Sequence, residues 1–272
     1  MGLSTITGTT GQAATSQTKK TSTPIAIQLY TLRDMTSKDF TGTIETVAEI
    51  GYDAVEFAGF GGYNAKELRG ILSDLGLSCA GCHTGYEALS ENPEESISYN
   101  AALGNPNIVI PSMPQAWREK GADGFKRFGY LLNALGKKTR SAGIQLAYHN
   151  HNFEFQKENG IYLLEYLYQE ADPELVKSEV DVYWVKKGGL DPADFLRKHA
   201  GRCTMIHMKD MAEDADGFFA PVGTGTLDMP AIIKAARLTP NPWFIVEQDR
   251  TKRPVLEAVT ISYKSMRKLL DE

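Results

Sequence analysis

Leu146-Ala-Tyr-His-Asn-His-Asn-Phe-Glu-Phe155 begins as an apolar, strand-like run and ends with two histidines, two asparagines and a glutamate inside six residues. A buried strand over Ile144–Tyr148 accounts for the first half. Folding alone does not ask for the second half. Polar groups leaving a sheet need partners, and a metal ion or a substrate supplies them. On either side of this stretch the same arrangement recurs, an apolar strand with polar chemistry at its C-terminal tip.

Apolar runs at Ile25–Tyr30, Ala54–Phe57, Ser78–Thr84, Asn107–Ser112, Ile144–Tyr148, Val176–Val185, Thr204–Lys209 and Trp243–Glu247 predict strands. Helical segments follow each of them, at Asp39–Ile50, Asn64–Leu75, within Pro93–Leu103, and at Gly124–Ser141, Ile161–Gln169, Pro192–His199, Pro230–Leu238 and Pro254–Leu270. Gly51, Gly76 and Gly143 stand just past helix ends, and Pro192 stands at a helix start. Strands alternating with helices imply a parallel α/β sheet, and eight such units in about 250 residues imply a closed (β/α)8 TIM barrel. An open doubly wound sheet would show a glycine-rich turn after the first strand, and Thr31-Leu32-Arg33-Asp34 has no glycine. The chain therefore reads as a single barrel domain over residues 25–272. A flexible, disordered Ser/Thr/Gly-rich tail over residues 1–24 precedes it. That tail lacks the charged start and apolar middle of a signal peptide. As the remnant of a cleaved signal it would indicate the periplasm, and otherwise the cytoplasm, so the compartment stays open.

The formal net charge of −5, with no basic stripe, argues against a nucleic-acid partner. Arg250, Lys252 and Arg253 read as a solvated loop. No run approaches the ~18 apolar residues of a membrane span. Cys79 and Cys82 form a C-x-x-C, but on a strand, where positions three apart point to opposite faces. With no second ligand pair and no helix N-terminus nearby, these two and Cys203 read as buried free thiols.

Barrel active sites lie at the C-terminal ends of the strands. Those ends here carry Gln28 and Tyr30, Glu56, His83, His149 with His151 and Glu154, Asp181, His207 with Lys209, and Glu247. So many ionisable groups at one mouth call for a cation to offset their repulsion. Glu154, Asp181, His207 and Glu247 come from four successive units and form the sharpest subset. Three carboxylates and one imidazole suit one divalent metal ion, Mn²⁺ or Mg²⁺ by the oxygen-rich set, with Zn²⁺ admitted by the histidine.

Gln28-Leu-Tyr-Thr-Leu-Arg-Asp34, the His-Asn-His-Asn-Phe-Glu-Phe run, Asp181-Val-Tyr-Trp184, His207-Met-Lys-Asp210 and Val246-Glu-Gln-Asp249 occur in this order. Together they resemble the sugar phosphate isomerase/epimerase family. That family belongs to the xylose-isomerase-like barrel superfamily, which also holds inosose dehydratases and endonuclease IV. The resemblance spans residues 25–270. It implies a single divalent metal held by Glu, Asp, His and Glu, binding a hydroxyl and the neighbouring carbonyl of a sugar. Asp181, His207 and Glu247 match the last three ligands. The first departs from the pattern, because many members have Glu-Asn-His at the fifth strand tip and this chain has His149-Asn150-His151. Either His149 takes that place or Glu154 reaches back to supply the carboxylate.

The chemistry so implied is proton transfer beside a carbonyl through a metal-stabilised enediolate. Glu247 would act as base from the metal's edge, with His149 or His151 as the partner acid/base. Tyr30 and Trp184 offer apolar faces for a sugar ring, Lys209 a donor for a substrate oxygen, and Glu56 and His83 line the same mouth. The expected activity is that of an isomerase or epimerase of a sugar or keto-sugar, phosphorylated or not. Its rivals are a lyase or dehydratase, keto-glycoside cleavage by β-elimination included, and a non-catalytic sugar-binding barrel. The expected partner is a small-molecule sugar, with self-association left open.

Overall fold

The structure, a computed structural model, describes residues 23–272. Of the expected tail, residues 1–22 lie outside the described residues. The barrel strands are β1 Ile25–Gln28, β2 Ala54–Phe57, β3 Ser78–His83, β4 Asn107–Ile110, β5 Gln145–His149, β6 Val176–Asp181, β7 Cys203–Met208 and β8 Trp243–Val246. Each pairs in parallel with the next, and β8 closes on β1 through Ile25 with Phe244 and Ile27 with Val246. The outer ring contains α1 Phe40–Ile50, α2 Ala65–Asp74, α3 Pro93–Leu103, α4 Gly121–Ser141, α5 Leu163–Glu170, α6 Pro192–Lys198, α7 Met229–Ala236 and α8 Val255–Asp271. The expected α/β barrel is what forms.

Helix ends follow their local chemistry. Asp39 caps α1 by accepting from Gly42 N, and Asn64 with Glu67 forms a capping box at α2. Gly51 ends α1 at φ +111, where a side chain would also meet the Tyr263 hydroxyl oxygen at 2.8 Å.

Two apolar layers flank the sheet. Outward strand residues such as Ile27, Phe57, Tyr148, Val180 and Ile206 pack in the large core shared with the helices. Inward positions near the bottom are mostly small, with Ala26, Ala54, Ala80 and Ala147 joined by Val109, Met205 and Ile245. Two residues further along five of these strands, alternation brings polar groups inward: Gln28, Glu56, His149, His207 and Glu247.

Two local features differ from the sequence reading. In β3 the register skips Ala80, so Val55 pairs with Cys79 and Glu56 with Gly81. The extra residue shifts the phase, which sends His83 inward and leaves both Cys79 and Cys82 against the outer core rather than on opposite faces. All three cysteines are free thiols, as expected. The sixth strand stops at Asp181 instead of running to Val185, because Asp181 Oδ1 accepts from Trp184 N and starts a short helix over Val182–Lys187. Among the described residues no helix is long and apolar enough to cross a membrane.

Candidate metal centre

The inward residues at the strand tips converge at the C-terminal mouth in two tiers. In the upper tier His149, Asp181, His207 and Glu247 are all buried and offer one ligand atom each, all within 4.8 Å of one another. His207 Nδ1 lies 2.7 Å from Glu247 Oε2, and His149 Nε2 lies 4.0 Å from Asp181 Oδ2. Lys209, only 2 % exposed, places Nζ 2.9 Å from Asp181 Oδ2, 2.7 Å from Glu247 Oε2 and 2.9 Å from Asp249 Oδ1. The lower tier holds Glu56 and Glu179. Glu179 Oε2 lies 2.7 Å from His83 Nε2, 2.9 Å from His149 Nδ1 and 3.1 Å from His207 Nε2. Glu56 Oε2 lies 2.7 Å from His207 Nε2 and accepts from Gln28 Nε2 at 2.8 Å.

Burial and neighbouring charge divide these groups. Burial opposes the charge on Glu247 and Glu179, yet Lys209 and His207 beside the first, and His207 and His83 beside the second, hold both carboxyls well below the usual range. Burial pushes Asp181 up to about 6 against the pull of Lys209 and His207, and pushes Glu56 up to about 7 with help from Glu179. His207 is raised despite burial by Glu179, Glu247 and Glu56. Lys209 is likewise raised despite burial by Asp181, Glu247 and Asp249. His149 is driven well below its ordinary value by burial, and His151 down to about 4 by burial and the Lys209 charge.

The upper tier fits a divalent cation. Asp181 Oδ2 is buried and forms no hydrogen bond, although the Lys209 ammonium stands 2.9 Å away. Two imidazoles and two carboxylates converge there, a donor set suited to Zn²⁺ or Mn²⁺. A cavity of about 630 Å³ opens above them, lined by His149, Lys209 and Glu247 from the cluster and by Tyr30, His83, His151 and Trp184 around it. His151 Nδ1 and Trp184 Nε1 are buried there without a hydrogen-bond partner. Tyr30 is 45 % exposed, with the Arg33 guanidinium 4.4 Å from its ring centre.

Asp181, His207 and Glu247 thus come together with His149, and Tyr30, His83, Trp184 and Lys209 reach the same cavity. Lys209 lies among carboxylates instead of in solvent. Glu56 sits in the tier below. Glu154 is not brought to the cluster. Its Oε1 accepts from the Tyr148 hydroxyl at 2.8 Å and its Oε2 from His151 N at 2.9 Å, and Tyr148 belongs to the outer core. Both oxygens are engaged in closing the turn after β5, so His149 stands where the carboxylate was expected. Sequence reading missed Glu179. Its signal was the alternation in Glu179-Val180-Asp181, which puts both acids on one face of β6.

A closed eight-stranded barrel with a buried imidazole–carboxylate cluster at its C-terminal mouth defines the class: a (β/α)8 barrel with a candidate metal centre. Residues 44–269 match the family described as xylose isomerase-like TIM barrel, and the chain belongs to that family. It is 23% identical over 255 residues to an inosose dehydratase of Geobacillus kaustophilus, covering 76% of this chain and 79% of the relative. A solved sugar phosphate isomerase/epimerase from Parabacteroides distasonis shares the fold at a TM-score of 0.78 and 24% identity, covering 94% of this chain and 98% of that one. The IOLI protein, solved with a binding zinc atom, shares it at 0.67 and 14%, covering 91% and 98%. Members of the family are enzymes, epimerases, isomerases and inosose dehydratases among them.

Proposed function

We propose that the chain is a divalent-metal-dependent isomerase or epimerase of a sugar or keto-sugar that moves the proton on the carbon beside the carbonyl. The observation that carries this reading is the convergence of His149, Asp181, His207 and Glu247 beneath a cavity that His149, His151 and Glu247 line. A divalent cation held by those four residues supplies Lewis-acid polarisation of the carbonyl. With two nitrogen and two oxygen donors the set favours Zn²⁺ or Mn²⁺ over Mg²⁺, and zinc in the IOLI protein accords with it.

Glu247 is the base. Lys209 and His207 keep it anionic, and among the described residues both engage Oε2, which leaves Oε1 for the proton. His151, kept neutral by burial and by Lys209, lines the same cavity as the second proton-transfer group. Tyr30 and Trp184 supply the apolar surfaces for the ring, and Lys209 orients the carboxylates around the carbonyl site.

One observation favours a second reading, a lyase that completes the same proton removal by expelling a β-substituent. The tip of β5 carries His149 and no carboxylate, while Glu154 is closed off by Tyr148 and His151. No carboxylate from that tip is then available to return the proton to carbon, and the likeness to an inosose dehydratase accords with elimination. Incubation with keto-sugars in D₂O separates the two. Deuterium next to the carbonyl with the substituent retained supports the isomerase or epimerase, and an unsaturated product supports the lyase. If Glu247→Gln keeps full turnover with metal bound, the assignment of Glu247 as the base is wrong, and a wild type that binds keto-sugars without converting them makes the chain a sugar-binding barrel. His151→Ala should lower kcat roughly 10²- to 10⁴-fold without changing metal content.

A further inference from the structure

Beneath the four candidate ligands lies a carboxylate for which proton transfer has no use. Glu179 is fully buried, and a single oxygen, Oε2, faces nitrogens of three imidazoles: His83 Nε2 at 2.7 Å, His149 Nδ1 at 2.9 Å and His207 Nε2 at 3.1 Å. An ionised carboxylate only accepts hydrogen bonds, so each nitrogen facing it carries a hydrogen. His149 is therefore the Nδ1–H tautomer, with Nε2 left free, and Nε2 is the nitrogen on the Asp181 side. In His207, Nε2 faces Glu179 and Glu56 while Nδ1 faces Glu247 Oε2 at 2.7 Å, so both nitrogens carry hydrogen until a bound cation takes the place of the one on Nδ1. One carboxylate thus faces opposite nitrogens on two rings, and in each ring the other nitrogen is the one on the Asp181–Glu247 side.

We propose that Glu179 is the positioning residue of the metal centre: it fixes the tautomer and ring orientation of both His149 and His207, so that Nε2 of the first and Nδ1 of the second are the ligands. The proposal rests on the cation reading above. Carboxylates commonly act in this way behind metal-bound imidazoles, and their loss weakens metal binding without removing a ligand. The fold prepares the place. Glu179 is the register partner of His149 across β5 and β6, and a shift in the β6–β7 ladder between Ser178 and Glu179 sets it opposite Met205. Glu56 Oε2 adds a second acceptor 2.7 Å from His207 Nε2 and is itself held by Gln28.

His83, His149, Glu179 and His207 could instead be taken as a second cation site, since their ligand atoms also lie within 4.8 Å of one another. The chemistry favours positioning. To serve both sites, His149 and His207 would each have to lose both ring hydrogens and bridge two cations. In the positioning arrangement every ring nitrogen is used once, either as donor or as ligand.

The test compares wild type with Glu179→Gln, titrating Zn²⁺ against a competing chelator and reading the imidazole nitrogens of the zinc-loaded wild type by ¹⁵N–¹H correlation. Glutamine keeps the shape but cannot accept from three N–H groups. Wild type should bind one equivalent with His149 as Nδ1–H and His207 as Nε2–H, and the variant should bind one equivalent roughly 10- to 100-fold more weakly. The opposite tautomer at either histidine in wild type overturns the proposal, and that spectrum decides even where the variant does not fold. Equal affinity in the variant overturns it while the cation reading stands. Two equivalents in wild type, one of them lost in the variant, overturn it by making Glu179 a ligand. A wild type that binds no Zn²⁺ removes the cation reading and the proposal with it.

Discussion

Replacing Asp181 by asparagine should make the protein more stable in chelator and less responsive to metal. Oδ1 of Asp181 accepts from Trp184 N at 3.0 Å and caps the Val182–Lys187 helix, a role asparagine fills equally well. Oδ2 is buried without a hydrogen bond, and burial pushes the carboxyl from 3.8 up to about 6 despite Lys209 and His207. An acid whose folded pKa lies above its unfolded value is penalised for its charge at higher pH. The penalty fades as pH falls through about 6 towards 4. Two units correspond to about 3 kcal/mol, so Asp181→Asn should stabilise the chelated protein at pH 7.5 by up to that amount, a rise of several degrees in Tm. The advantage should shrink between about pH 6 and 4. Metal offsets most of this advantage. A cation at 100 times its Kd adds about 2.7 kcal/mol to wild type, and the variant, short of one charged ligand, forgoes most of it. Scanning calorimetry in EDTA and in Zn²⁺ or Mn²⁺ reads both terms. A variant that melts below wild type in EDTA refutes the charge argument, and one with an undiminished metal-induced shift refutes the ligand role.

Glu154→Ala leaves the Tyr148 hydroxyl and His151 N–H unpaired. It should lower stability by about 2–4 kcal/mol in a denaturant titration with metal stoichiometry unchanged, and a lost metal equivalent would return Glu154 to the ligand set. Glu165 is drawn down to about 2 by the hydrogen bond from His199, with Lys198 also beside it. Because the folded pKa is depressed, its contribution is present above about pH 4.5 and lost as pH falls through about 2. As the pair is partly exposed, Glu165→Gln should cost only about 1 kcal/mol at pH 7, and a gap that stays constant in urea unfolding down to pH 3 would contradict this account. At Gly81 a Cβ would sit 2.8 Å from Glu56 Oε1 and from Met205 Cε. Gly81→Ala should therefore destabilise by about 1–3 kcal/mol, and an unchanged Tm would show that the lower tier yields freely.

Much of the barrel was legible because strands and helices announce themselves locally. Ala54–Phe57 and Pro93–Leu103 form at the expected residues, and Asp39 and Asn64 cap the expected helices. Asp181, His207 and Glu247 could be picked out because each ends an apolar strand, where period-2 alternation points a polar side chain inward. The β3 shift at Ala80 was not legible. No residue type marks it, and it reverses which way Cys82 and His83 face. Nor was the end of β6 legible: the apolar run continues to Val185, and the bond from Trp184 N to Asp181 Oδ1 is what stops the strand at Asp181.

Sequence by itself determined the fold class and picked out Asp181, His207 and Glu247 as candidate ligands, because periodicity and turn chemistry act over a few residues. Tertiary structure brought His149 and not Glu154 to the other three, and revealed Glu179 beneath them. Past the end of a strand, side-chain direction follows the turn, and Glu154 turns to a hydroxyl in the outer core. Closing the barrel brings His207 to Glu56 across 151 residues of chain and to Glu179 on the neighbouring strand. Which oxygen meets which nitrogen is a property of that closure, and no local pattern encodes it.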